Sequence, residues 1–183
     1  MRIIAGAFKG RRLATPTWAG LRPTSDRLRE TLFNVLRDRT AGAHVLDACA
    51  GTGALGLEAL SREAADVVFL EQDPRACRLI AKNLELCGAS QRCAIIRAGV
   101  PAALARLAGT DRFDLILFDP PYEAPPDQIE TMLAALGDRL TTTGMLVYEH
   151  AHRRAAPPAT GAIVRTRELR SGDSALAFYT RSV

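Results

Sequence analysis

The chain has 183 residues, 48% of them hydrophobic and 5% aromatic, which suits one domain around one large core. No apolar run approaches the roughly 20 residues of a bilayer-spanning helix, so a helical membrane protein is excluded. Net charge is +4 but uneven: Met1 to Thr40 carries nine Lys/Arg against three acids and the rest is slightly acidic, which points to a polyanion-facing arm.

RIIAGAFKGRRLATP reads as a short strand, a glycine-bounded turn and a second short strand. RPTSDRLRETLFNVL reads as a helix with Thr24 as N-cap and Asp26 in the first turn. Leu28, Leu32, Val35 and Leu36 recur along one face of it. From His44 strands and helices alternate. HVLDAC, DVVFLE, CAIIR, FDLILFD and GMLVYEH read as strands; ALGLEALSR, PRACRLIAKNLELCG, VPAALARLA and PDQIETMLAALGDR read as helices. In the second of these helices Asp73 is the expected N-cap, Pro74 opens the first turn and Gly88 closes the last. The tail reads as two strands around Ser-Gly-Asp. The alternation predicts an α/β fold with right-handed crossovers and a mostly parallel, doubly wound sheet. Such strands are buried on both faces, which accounts for the unbroken run DLILF.

Cys49, Cys77, Cys87 and Cys93 form no C-x-x-C pair, and free thiols are expected. His150 and His152 have no third ligand nearby, so no metal site is expected. MRIIAGAFKGRR lacks a signal peptide's apolar stretch, and a cytoplasmic protein is expected.

Ligands of doubly wound sheets bind beyond the carboxyl ends of the strands. Asp47, Glu71 and Asp119 stand at such ends and are expected to line one crevice. Gly51, Gly53 and Gly56 of DACAGTGALG have G-x-G-x-x-G spacing between a strand and a helix. Glu71, with Gln72 beside it, follows twenty residues after Gly51 and is placed to accept ribose hydroxyl protons. A dinucleotide and S-adenosylmethionine both fit this pattern. Asp47 favours the second, because a carboxylate there repels a pyrophosphate and suits a cationic aminoacyl group.

FDLILFDPPY ends a buried strand on a carboxylate, two prolines and a ring. A flat base with an exocyclic amine fits that set. Asp119 accepts one N–H and the carbonyl of Pro120, on backbone stiffened by two prolines, accepts the other. Tyr122 stacks on the base, worth about 1–3 kcal/mol. Two amine–methyl transfers remain open from these residues, to guanine N2 or to adenine N6. A nicotinamide-dependent oxidoreductase and a non-catalytic RNA-binding module are the rival classes.

The blocks RIIAG…KGRRL, LRPTSDRLRETLFNVL, LDACAGTGALGLEALSR, FLEQD, FDLILFDPPY and YEH, spanning essentially the whole chain, resemble the RsmD family of bacterial 16S rRNA (guanine-N2)-methyltransferases. The resemblance implies a Rossmann-like class I methyltransferase fold. Its sheet would have seven strands, with helices on both faces and a small N-terminal hairpin and helix. Residues 1–40 would be the RNA-contacting extension and 41–183 the methyltransferase domain. It implies S-adenosylmethionine held by Asp47, Ala50, Gly51, Thr52, Gly53, Glu71 and Gln72, and an amine pocket of Asp119, Pro120 and Tyr122. Relatives often carry a polar residue after the third strand; RAGVP here offers only the backbone of Gly99 and the packing of Val100 near the adenine. The implied partner is 16S rRNA, within a partly or fully assembled 30S subunit, met by a monomer. Arg2, Lys9, Arg11, Arg12, Arg22, Arg27 and Arg29 are the expected phosphate contacts, with Phe8 and Trp18 either stacking on bases or packing within the arm.

Overall fold

In the computed structural model, which describes residues 1–19 and 24–182, a helix α1 (Asp26–Leu36) precedes the alternating part of the chain. There follow β1 (His44–Ala48), α2 (Ala54–Ser61), β2 (Asp66–Glu71), α3 (Pro74–Cys87), β3 (Cys93–Arg97) and α4 (Val100–Leu104). Next come β4 (Phe113–Phe118), α5 (Pro126–Gly137) and β5 (Leu140–Ala151), then β6 (Ala159–Thr160), β7 (Ile163–Ser171) and β8 (Ser174–Arg181). The predicted caps of α3 hold. Asp73 accepts the N–H of Arg75, Pro74 stands at the first turn, and Gly88 takes the left-handed conformation at φ +66° that ends the helix.

The strands form one eight-stranded sheet in the order β3-β2-β1-β4-β5-β8-β7-β6. β1 to β5 run parallel to their neighbours, while β8, β7 and β6 are antiparallel additions. The expected seven strands become eight because two residues, Ala159 and Thr160, pair with Ile163 and Val164 at the far edge. So short an edge strand leaves no periodicity in the sequence. Strand order reverses between β1 and β4, and that switch point sets where the crevice lies.

Alternate side chains of each strand enter two apolar layers. Val45, Phe69, Leu115, Leu117, Val147 and Phe178 pack with α1, α2 and α3. Leu46, Leu70, Ile116, Phe118, Leu146 and Tyr179 pack with α4 and α5. Every residue of α2 is buried, and it presses so closely on β2 that a Cβ on Gly56 would lie 2.4 Å from Phe69 Cε1. The third glycine of the loop therefore serves helix–strand contact, whereas Gly51 and Gly53 have positive φ and make the turn. Among the described residues no helix is long and apolar enough to cross a membrane.

The N-terminal segment folds back on itself in the expected sense, but the pairing is short. Arg2 and Arg12 form an antiparallel bridge, with the N–H groups of Ile3, Gly10 and Leu13 on the carbonyls of Arg11, Ile3 and Met1. Beyond that pairing the backbone is taken over by Glu58 on α2. Its buried carboxylate accepts the N–H groups of Ile4 (2.8 Å) and Ala5 (3.0 Å). Ser61 Oγ accepts the N–H of Phe8, and Asn83 of α3 pairs with the N–H and the carbonyl of Ala14. The arm is thus stitched to the face of α2 and α3. α1 is capped by Ser25, whose Oγ accepts the N–H of Leu28; the expected cap, Thr24, bonds elsewhere.

Replacing Gly56 by Ala should destabilise the protein by about 1–3 kcal/mol through overpacking against Phe69. Urea unfolding should show a lower midpoint with an unchanged slope; an unaltered midpoint would contradict the close packing.

Candidate active site

At the reversal of strand order, the carboxyl ends of four parallel strands bring four acids to one edge: Asp47, Glu71, Asp119 and Glu149. Each is held in its own way. Asp47 is 1% exposed, and its Oδ2 accepts the N–H of Gly56 at 2.9 Å. α2 opens on Gly53, which has no side chain to cap it, so Asp47 supplies the missing acceptor. Burial pushes the Asp47 carboxyl up to about 8; the Gly56 N–H opposes this, while the charges of Asp119 and Glu71 reinforce it.

Glu71 bridges two turns. One oxygen accepts the N–H of Gly51 and the other that of Asp73, both at 2.8 Å. It thereby fixes the glycine loop against the start of α3. Ala50 is tied to β2 by its N–H on the carbonyl of Leu70. Thr52 is buried with its hydroxyl toward Met1 Sδ, so that residue gives the crevice only backbone. Cys49, at φ +64°, takes a strained left-handed turn; burial raises its thiol pKa, aided by Glu71, Asp119 and Asp47. Gln72 and Gly99 are brought together, Gln72 Oε1 lying 3.3 Å from where a Gly99 Cβ would stand. Val100 does not reach the crevice: it is 3% exposed and packs with Leu46, Leu70 and Ala103.

Asp119 follows β4, its N–H on the carbonyl of Ala48, and Pro120 behind it is buried. Thr24 Oγ1 donates to Asp119 Oδ2 at 2.8 Å, so the residue expected to cap α1 instead ties the arm to this carboxylate. Tyr122 Oη donates to Glu149 Oε1 at 3.1 Å and pairs with Ser174 Oγ at 2.7 Å. Burial, above all, raises the Tyr122 pKa. Glu149 is 7% exposed and is also hydrogen-bonded to Asp119 and Ser174. Burial first, and the charge of Asp119 second, push its carboxyl up to about 8. Sequence reasoning missed Glu149, although the strand-end rule that found the other three acids also applies to the strand GMLVYEH. Ser174 and Thr24 carry no such signal.

Of the expected phosphate contacts, Arg2, Lys9, Arg12 and Arg27 are exposed. Arg2, Lys9 and Arg27 rim an open depression of about 310 Å³ together with Asp26 and Glu30. The exposed Arg11 is partly engaged: it lies over the Phe8 ring, 5.5 Å from its centroid, and donates to the carbonyl of Leu86. Arg29 is a correction. It is 0% exposed, donates to the carbonyl of Arg2 and to Asp26, and lies 3.7 Å from Glu58, so it has no path to an external phosphate. Arg22 lies outside the described residues. Phe8 packs partly against the core, and Trp18 carries the Arg75 guanidinium 5.1 Å from its ring centroid.

Residues 1–180 match the model of a family described as conserved hypothetical protein 95. The chain is 42% identical over 123 residues to ribosomal RNA small subunit methyltransferase D of Haemophilus influenzae, a match spanning 67% of this chain and 64% of that protein. It is 31% identical to "Putative rRNA methyltransferase YlbH" of Bacillus subtilis, across 99% of both. Among solved structures, "Putative methyltransferase yhhF" from Escherichia coli superposes with a TM-score of 0.86 at 34% identity, covering 100% of this chain and 98% of that one.

Asp47 and Glu149 retain protons that the unfolded chain would release near 3.8 and 4.5. Their contribution to stability is therefore fully present at low pH, falls as pH rises from about 4 to about 8, and levels off above. Asp47→Asn should flatten that fall by on the order of 1 kcal/mol or more. Urea midpoints at pH 5 and pH 8 check it; an unchanged difference between the two would contradict a buried, protonated Asp47.

Proposed function

The chain belongs to the conserved hypothetical protein 95 family, the RsmD family of methyltransferases, and from that premise we propose that it moves a methyl group from S-adenosylmethionine to the N2 amine of a guanine in small-subunit rRNA. The observation that carries this reading is the gathering of Asp47, Glu71, Asp119 and Glu149 at one edge of the sheet. The charges of Glu71 and Asp119, set beside the protonated Asp47 and Glu149, make a negative field there that calls for a cation. S-adenosylmethionine is cationic at its sulfonium and ammonium, and it has no phosphate to be repelled. The residues that would hold it are Asp47, Glu71 and the backbone of Ala50 to Gly53, with Gln72 and Gly99 toward its adenine. When bound, it supplies an electrophilic methyl group.

The protein's own part is alignment. Asp119 and the Pro120 carbonyl each accept one N–H of the acceptor amine, which raises electron density on nitrogen and aims its lone pair. The Tyr122 ring, pinned through its hydroxyl by Glu149 and Ser174, offers a face for the base. Asp119 need not be a strong base, since the methylated ammonium sheds its proton readily. Arg2, Lys9, Arg12 and Arg27 contact RNA phosphates, with Arg11 beside them. The acceptor is presented in a partly or fully assembled 30S subunit, and the protein works as a cytoplasmic monomer.

Tritiated methyl transfer to 30S particles and to free rRNA, followed by nucleoside analysis, tests the reading. Label in N2-methylguanosine is expected. Label in N6-methyladenosine would move the assignment to the alternative amine, and no label in either would sink it. Asp119→Ala should lower kcat by about 10²–10³, the scale of a lost aligning group, while calorimetric affinity for S-adenosylmethionine stays within a few-fold. Loss of cofactor binding would contradict the division of labour. Lys9→Ala with Arg12→Ala should reduce the salt slope of RNA binding by about 2; an unaltered slope would argue against the arm.

A further inference from the structure

Two carboxyl groups in hydrogen-bond contact need a proton between them, because an ionised carboxylate only accepts. Asp119 and Glu149 follow the paired residues Phe118 and Tyr148 on neighbouring parallel strands, and side by side there they are such a pair. Glu149 is the deeper of the two. It stands on β5 opposite Leu176 of β8 and, with Thr24, lines a void of only about 10 Å³ whose other walls include Leu28, Leu32, Leu55, Leu117 and Val147. Those walls are mostly apolar and offer an ionised carboxylate poor solvation. The groups that meet Glu149 come from three directions: Asp119 from the end of β4, Tyr122 from the loop after it, and Ser174 from the start of β8. Thr24 holds the far oxygen of Asp119, and Asp47 feels Asp119 from the side of β1.

We propose that Glu149 is a positioning residue for the methyl transfer, a neutral acid that donates to Asp119 while accepting from the Tyr122 hydroxyl and so locks the two sides of the amine pocket to each other. The inference rests on the function proposed above and deepens it. With its proton in place, Glu149 and Thr24 together fix the orientation of the Asp119 carboxylate. The same side chain keeps Tyr122 from swinging out over the loop. Ionisation of Glu149 near pH 8 sets two carboxylates against each other and frees both partners at once. The acidic form is therefore the working form, and activity should fall on the alkaline side as it is lost.

Infrared titration of the protein alone reads the protonation directly. Asp47 is also neutral at neutral pH, so the titration is run in the Asp47→Asn background. There a carbonyl band of a neutral carboxylic acid should remain at neutral pH and vanish when Glu149→Gln is added. Adding Asp119→Asn instead should make the band titrate at lower pH, because the neighbouring charge has gone. A band that Glu149→Gln leaves unchanged in that background overturns the proposal, whatever the activity. Kinetics read the positioning. Glu149→Ala should lower kcat at least tenfold with little change in the KM for S-adenosylmethionine. Glu149→Gln, whose amide both donates and accepts, should restore most of that loss and remove the alkaline fall. If the glutamine variant is as poor as the alanine variant, or keeps the alkaline fall, the role is wrong. A wild-type protein that shows the band but transfers no methyl group to any RNA would sink the functional reading, and the positioning role with it. A missing band in an active protein sinks this inference alone.

Discussion

Parallel strands point all their carboxyl ends the same way, and in this chain four of those ends carry or adjoin an acid. That crowding of carboxyl groups, two of them kept neutral by burial, is the constraint on which the site depends. Each acid is accommodated by a different local device. Asp47 takes the N–H of Gly56 and finishes a helix that glycine cannot cap. Glu71 takes two N–H groups and stiffens the loop that faces the crevice. Asp119 and Glu149 lean on one another, with Thr24, Tyr122 and Ser174 supplying hydroxyls around them. None of these devices supplies a positive charge. What remains is a negative field at the switch point of the sheet, and it is this residue of unmet electrostatic demand that selects a cationic donor over a phosphate-bearing one.

Most of the fold was legible because its signals are local. Asp73, Pro74 and Gly88 announce both ends of α3 within one stretch, and the apolar runs of β1 to β5 fix their character without neighbours. Three of the four acids were legible for the same reason: each ends its own strand. What was not legible came from contacts between distant segments. Thr24 looks like an N-cap until β4 brings Asp119 within reach of it, and Ser174 meets Tyr122 only because β8 inserts beside β5. Arg29 was misread as an outward charge, although Phe33 and Leu36 at four and seven residues on place it on the inward stripe of α1. That stripe contained its own warning. The docking of the arm on α2 was hidden for a different reason: a buried carboxylate that takes two backbone donors leaves no mark on strand propensity.

The basic arm and the catalytic sheet share more than a boundary. Ile3, Leu13, Leu28, Leu32 and Phe33 belong to the same apolar layer as α2 and the inner faces of β1, β2 and β4. Asn83 joins Ala14 of the arm to the carbonyl of Thr52 in the glycine loop, so one amide spans the two regions that the sequence separates.

Glu58 makes this union hard to undo. A foreign basic segment grafted ahead of α1 would have to deliver two correctly spaced amide hydrogens to the same oxygens, or leave that buried carboxylate with Arg29 and Arg62 as its remaining partners. Swapping the basic edge between relatives is therefore a problem of interior chemistry before it is one of surface charge. The two halves of such a chimera would have to be chosen as a matched set.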